Sequence, residues 1–282
     1  MKKTSFILFL QILFISPLFA QQYTINENIF ALGIVDKIQS ATLGETRTLN
    51  IYLPEVYPKD SATAYPVIYL LDGSANEDFI HIVGLVQFLV MIEKMPPSIV
   101  VGIANIDRKR DFTFPTAIEQ DKKDYPTTGG SAKFITFVEK ELQPYIEKKY
   151  RTGSKTIIGQ SLGGLLATEI LLKKPGLFNN YIIVSPSLWW NNESLLNEAP
   201  DLVKKQALKN MQVYISVGSE GKQMEDDAKK LSEILQAPGN VKVNLVPLPE
   251  ENHLTVLHNS VYKGLEILNA KKVTATNNPI RK

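Results

Sequence analysis

The sequence contains no cysteine. Disulfides, thiolate metal sites, a cysteine nucleophile and a lipid-modified leader cysteine are therefore all excluded. A chain of 282 residues can bury one large core and needs no such staple, even in an oxidising compartment. Excess charge is also missing. There are 31 basic and 29 acidic residues, with no basic block to hold nucleic acid or an anionic membrane by counterion release. There is no internal repeat, and no Pro/Gly/Ser-rich linker that would mark two domains. No apolar run reaches the roughly 20 residues that a bilayer span needs.

The longest apolar stretch, Phe6 to Phe19, is broken by Gln11 and Pro17, follows Met1-Lys2-Lys3, and ends at Ala20. It reads as a Sec signal peptide over residues 1–20. Its removal takes away Lys2 and Lys3 and no acid, leaving a formally neutral protein. The expected product is periplasmic or secreted, without stable membrane insertion. One domain should occupy residues 21–269, and residues 270–282 lack periodicity and read as a flexible tail.

What is present alternates. TRTLNIYL, Thr46 to Leu53, has the period of a half-buried edge strand, while PVIYLL, from Pro66, and SIVVGI, from Ser98, are continuous apolar runs suited to strands covered on both faces. Further strands are expected at 155–158, 180–184, 212–217 and 241–246. Helical spacing marks 78–94, 131–149, 162–174, 224–236 and 254–269. The class is α/β, a mostly parallel sheet with helices on both faces. The stretch 105–130 is long, charged and turn-rich, and reads as a loop insertion over the sheet.

One motif carries chemistry. Lys155 to Ile158 is a short strand, Gly159-Gln160-Ser161-Leu162-Gly163 is a Gly-x-Ser-x-Gly, and an amphipathic helix follows. This is the layout of a nucleophile elbow, in which a serine sits on a strained turn. Gly159 and Gly163 are expected to be glycine because a side chain at either position would collide with the turn. A serine hydroxyl attacks an ester only if a base takes its proton. Of three histidines, His81 lies on the first helix and His258 inside the last, where packing or exposure explains them. His253 follows the final strand, in the loop Pro249-Glu250-Glu251-Asn252. Serine first and histidine last is the chain order of an α/β-hydrolase, and loops beyond carboxyl strand ends are where such sheets place their sites.

The group that orients the imidazole should follow the penultimate strand. Glu220, in Gly218-Ser219-Glu220-Gly221, is the first candidate and Asp226 the second. Oxyanion donors are expected from the Leu162 amide and from Gly73 or Ser74, where the strand ending at Leu71 turns. Trp189 and Trp190, after Ser185-Pro186-Ser187, either wall a substrate pocket or pack beneath a lid. Arg108 and Arg110 in the long loop either meet an anionic substrate or form structural pairs, such as Arg110 with Asp111.

With RTLNIYLP, YPVIYLLDG, IVVGIANIDRKRDFT, IIGQSLGGLLA, SPSLWW and ENH in this order from about Arg47 to Leu268, the chain resembles the putative-esterase family of the α/β-hydrolase superfamily. That family includes enterochelin esterases, S-formylglutathione hydrolases and feruloyl esterases, with mycolyltransferases more distant. NIDRKRDFT and SPSLWW resemble the enterochelin-esterase branch most closely. The resemblance implies Ser161 as nucleophile and His253 as base. It implies an acid at Glu220 as well, where members commonly carry aspartate. Gln160 stands where many relatives have histidine, and its side chain is expected to point away from the line of attack.

The expected activity is hydrolysis of a carboxylic ester through an acyl-enzyme, without cofactor or metal. The substrate would be a small molecule such as a siderophore or a carbohydrate-linked aromatic ester. An acyltransferase using the same residues, or a catalytically silent siderophore-binding protein, are the rival readings.

Overall fold

The computed structural model describes residues 30–57, 62–206 and 208–270. The chain divides into Met1–Ala31 and Leu32–Lys282, and every described strand and helix belongs to the latter. The leader expected at residues 1–20, and all but the first residue of the tail expected at 270–282, lie outside the described residues.

Among the described residues, eight strands form one sheet. They are β1 Ile34–Ser40, β2 Glu45–Tyr52, β3 Tyr65–Leu70, β4 Ile99–Ile103, β5 Thr152–Gln160, β6 Asn180–Val184, β7 Gln212–Gly218 and β8 Lys242–Leu248, in the spatial order β1-β2-β4-β3-β5-β6-β7-β8. β1 and β2 pair antiparallel, β2 pairs antiparallel with β4, and every pair from β4 through β8 is parallel. This is the expected α/β class.

The continuous apolar runs occupy the middle of the sheet because both faces are covered. Val67 and Tyr69 of β3 enter one core, and Ile68 and Leu70 enter the other. The second core is closed by α1 (Phe79–Met91) and α9 (Val256–Asn269). Leu89 and Val261 are among the side chains they bury completely, each worth about 1.5–3 kcal/mol of transfer free energy. On the other face pack α6 (Leu162–Lys173), α7 (Trp190–Gln206), α8 (Lys222–Gln236) and the segment 131–149. That segment is not one α-helix: α4 (Ser131–Phe137) and α5 (Gln143–Lys149) are joined by a π-helical turn at Val138–Leu142.

Further features differ from the sequence expectation. β1 had no clear alternation to reveal it, because this edge strand is exposed along most of its length. The insertion 105–130 carries two short helices, α2 (Arg108–Phe112) and α3 (Glu119–Asp124). It is fastened to β2 by Arg47, whose fully buried guanidinium meets Asp111 at 2.7 Å and lies 5.3 Å from the Phe134 ring centre. α7 went unrecognised because its first residues, Asn191, Asn192 and Glu193, are left-handed (φ 50°, 54° and 56°) and Pro200 interrupts its interior. β8 also runs two residues further than expected. Its Pro247 is tolerated because β8 is the sheet edge and needs no second partner.

Candidate active site

Ser161 sits between the end of β5 and the start of α6, with φ 58° and ψ −118°. Such a backbone costs of order 1–3 kcal/mol for a residue with a Cβ, and persists only where neighbours over-determine it. They do so here. The Ser161 amide donates to Val184 O at 3.0 Å, and its carbonyl accepts from Leu165 N at 2.9 Å and Ser187 N at 3.0 Å. Gly159 is required, since a Cβ there would lie 2.4 Å from Gly163 O. Gly163 is not crowded: its Cβ would find Asp72 Oδ2 at 3.4 Å, an ordinary contact, so the expected collision at that position does not exist. The third glycine of the run, Gly164, does pack tightly, with Pro186 Cα 2.9 Å from where its Cβ would be.

Ser161 opens onto a cavity of about 600 Å³ whose lining includes Tyr125, Ser187, Trp189, Met224, Glu220 and His253. His253 occupies the loop between β8 and α9, and its ring Nδ1 is 2.5 Å from Glu220 Oε2. The histidine is 41% exposed and the glutamate 4%, so the imidazole meets the cavity while its partner is buried beneath it. Glu220 Oε1 also accepts from Ser185 Oγ at 2.5 Å and from the Gly218 amide at 3.0 Å. Burial by itself would raise the Glu220 pKa. The hydrogen bonds from His253, Ser185 and the Gly218 amide outweigh it and hold the carboxyl below the ordinary glutamate value. Asp226, the other candidate, points away: it pairs with Lys222 on the outer side of α8 and is 57% exposed. The Ser161 hydroxyl itself is 3.3 Å from Ser187 Oγ, its hydrogen-bond partner in this conformation. Hydroxyl–imidazole contacts of this kind are often loose or absent without substrate.

The Leu162 amide opens α6, where it has no intrahelical acceptor. Gly73 is removed as a donor, because its amide is spent on Ile103 O at 3.0 Å. It is glycine for a different reason: a Cβ there would meet Gly102 Cα at 2.3 Å. Among the described residues the Ser74 amide has no backbone acceptor, which leaves it as the free one of the two expected donors in that turn.

The two tryptophans separate. Trp189 lines the cavity, while Trp190 is fully buried and donates through Nε1 to Phe114 O at 2.9 Å, so Trp190 is core and not pocket wall. Neither arginine is among the residues that line the cavity, and both form ion pairs, the second of the two readings that the sequence left open. Arg108 grips Asp72 through two bonds of 2.6 and 2.9 Å and donates to Gln160 O at 3.2 Å. Arg110 pairs with Asp111 at 2.7 Å and with Glu45 at 2.7 Å. His81 and His258 stack on each other across α1 and α9, ring centres 5.8 Å apart, away from the cavity.

Tyr125, Ser185, Ser187 and Met224 were missed as site residues. Only the two serines carried a signal, through their place in SPSLWW at a carboxyl strand end. Among the described residues no cluster of three or more His, Asp or Glu could hold a metal ion, and no helix is long and apolar enough to cross a membrane. A larger cavity, about 930 Å³, lies between the carboxyl ends of α1 and α9 near Met95, with no serine or histidine in its lining.

Known proteins resemble this chain in sequence and in fold. Residues 40–246 match the family model described as "Putative esterase". The chain is 31% identical over 270 residues to the ferri-bacillibactin esterase of Bacillus subtilis, covering 85% of this chain and 91% of that one. Among solved structures, an IroE-like serine hydrolase from Shewanella oneidensis superposes with a TM-score of 0.77 at 33% identity, covering 84% of this chain and 79% of the other. The BES protein from Bacillus cereus does so with a TM-score of 0.76 at 32% identity, covering 86% and 98%. A match over most of the length, on a mostly parallel sheet, makes the chain a member of this esterase family.

Proposed function

We propose that this protein is an exported serine hydrolase that cleaves carboxylic esters of the siderophore type through an acyl-enzyme at Ser161. The observation that carries the reading is that Ser161 and His253 line one cavity, with the far nitrogen of the imidazole anchored on a buried, ionised carboxylate.

Glu220, acceptor-only in its ionised form, requires a proton on His253 Nδ1 and leaves Nε2 with a lone pair toward the cavity. On substrate binding the Ser161 hydroxyl turns from Ser187 to Nε2, gives up its proton and attacks the ester carbonyl. The amides of Leu162 and Ser74 receive the oxyanion. His253, now imidazolium and facing the Glu220 carboxylate, returns the proton to the leaving alcohol. Water then repeats the sequence on the acyl-enzyme, which restores the serine. Trp189 and Tyr125, ring centres 6.2 Å apart, offer flat apolar walls for an aromatic acyl or alcohol group. Siderophore chemistry is favoured over other aromatic esters because the curated relative above is an esterase of such a molecule along nearly its whole length.

The reading implies that residues 1–20 are a leader and that the mature chain starts at Gln21, with one catalytic domain to about residue 269. Intact-mass measurement on natively exported protein checks this; retention of Met1 would refute it. For the activity, mature protein is incubated with a catecholate triester, a feruloylated sugar and p-nitrophenyl butyrate, and products are followed by mass. Hydrolysis of the triester by wild type and its loss in Ser161→Ala are expected. Undiminished turnover in Ser161→Ala would refute the serine mechanism, and preference for the feruloylated sugar would refute the substrate class.

A further inference from the structure

We infer that Gln160, the residue immediately before the nucleophile, is a positioning residue that holds the main chain of His253 in place. This rests on the assignment of Ser161 and His253 above. The sequence reading gave Gln160 no part in the chemistry. Its Nε2 instead donates to His253 O at 2.5 Å, bridging positions 93 residues apart in the chain.

The tip of the loop that carries His253 is closed by its own turn, with the Leu254 amide on Asn252 Oδ1 at 2.9 Å and the Asn252 amide on Thr255 Oγ1 at 3.1 Å, but these local bonds tie it to no other element. Among the described residues His253 itself is held to the rest of the fold by Gln160 and Glu220. Leu254 is 91% exposed, and the imidazole itself is 41% exposed, so burial contributes little at this point. The carboxylate of Glu220 holds one ring nitrogen, but a ring fixed at one atom can still pivot as its Cα drifts. A second anchor on the backbone of the same residue removes that freedom. Further back, the Ser219 amide ties Glu251 O at 2.7 Å, which secures the base of the loop and not its tip.

The identity of the anchor matters as much as its presence. Gln160 ends the strand that presents Ser161, so base and nucleophile are referenced to the same strand end and not through the long route round the sheet. Gln160 is itself braced: its carbonyl accepts from Arg108 at 3.2 Å, and Arg108 is clamped bidentately on Asp72 just before the turn that presents Ser74. Asp72 also accepts from Asn105 Nδ2 at 2.6 Å. One run of side chains thus connects the oxyanion turn, the nucleophile elbow and the histidine loop. Because Gln160 touches the carbonyl and not the ring, it sets where the imidazole is and leaves its ionisation alone.

The test uses the mature chain with Gln160→Met, which keeps length and loses the N–H donor, and Gln160→His, which restores a donor at similar reach. Misplacing a catalytic group by about 1 Å costs up to about a hundredfold. In Gln160→Met, kcat for p-nitrophenyl butyrate should fall roughly ten- to a hundredfold with KM within about twofold, the midpoint of the pH–rate profile unchanged and Tm within about 3 °C. Inactivation by an uncharged fluorophosphonate should slow by the same factor, and Gln160→His should recover most of both rates. Wild-type protein labelled at Ser161 together with Gln160→Met of undiminished kcat would overturn the inference alone. So would equal loss in both variants, or loss accompanied by a large fall in Tm. A wild type that is not labelled at Ser161 would overturn the reading of the site as well.

Discussion

Replacing Glu220 by glutamine changes almost no volume and removes one charge, and its consequence follows from three hydrogen bonds. Oε1 accepts from Ser185 Oγ and the Gly218 amide, and Oε2 accepts from His253 Nδ1. Glutamine offers one acceptor and one NH₂ in their place. If its oxygen stays with Ser185 and Gly218, the NH₂ faces Nδ1. The imidazole must then move its proton to Nε2, where it can no longer take one from Ser161. If the amide flips, the NH₂ opposes the Gly218 N–H, and a buried donor is left unpaired at a cost of about 1–3 kcal/mol. The first arrangement disables the base and the second is opposed by that penalty; a wrong tautomer of this kind costs on the order of 10⁴ in kcat, about 5.4 kcal/mol at 1.36 kcal/mol per decade. The assay is kcat and KM for p-nitrophenyl butyrate between about pH 6 and 9, with Tm as the folding control. Stability adds a signed check. The folded carboxyl titrates below its ordinary value of 4.5, so its ionised form stabilises the fold. That contribution is complete above pH 4.5 and is lost as pH falls through the lower folded value. The Tm gap between wild type and Glu220→Gln should therefore be constant near neutrality and close in acid. A variant with kcat within tenfold of wild type, or a gap that widens in acid, would refute the reasoning.

Trp189→Ala should raise KM for an aromatic ester by roughly tenfold while leaving a short aliphatic ester nearly unaffected, since only the former loses a ring contact. Trp190→Ala should instead cost about 3–5 kcal/mol of stability, read as a lower denaturation midpoint; matching behaviour of the two variants would contradict their different placement. Asp111→Ala removes the buried one of the two carboxylates that meet the fully buried Arg47, leaving Glu45 at 2.8 Å, and should lower stability by about 3 kcal/mol, seen as a Tm drop of roughly 10 °C. A drop under about 3 °C would show that the pair is solvated. Asp227 lies buried on α8, and burial, with Glu193 nearby, pushes its pKa up to about 6. Ionising it costs stability above pH 6, so Asp227→Asn should raise Tm at pH 8 and change little at pH 4; an equal change at both would contradict this.

The parts legible in the sequence were those with a local cause. Continuous Val/Ile runs marked β3 and β4 because both their faces are buried, and the strand–Gly-x-Ser-x-Gly–helix order located Ser161 because the turn leaves no room at Gly159. His253 and Glu220 were reached through chain order, which parallel topology makes informative. The missed features depend on contacts made at long range. Arg108 looks free in a charged loop until the fold brings Asp72 to it from 36 residues away, and Gln160 looks idle until His253 arrives from 93 residues away. Trp189 and Trp190 are neighbours with opposite fates, and no periodicity could separate them because a left-handed turn follows immediately. Edge strand β1, largely solvent-exposed, offered no stripe to read.

The most direct measurement is a crystal structure of the mature protein inactivated by an uncharged fluorophosphonate. Phosphorus bonded to Ser161 Oγ is expected, with the phosphoryl oxygen about 2.7–3.1 Å from the Leu162 and Ser74 amides and His253 Nε2 on the side of the departed group. An adduct on a different residue, or an imidazole beyond proton-transfer reach of the modified oxygen, would contradict the assignment.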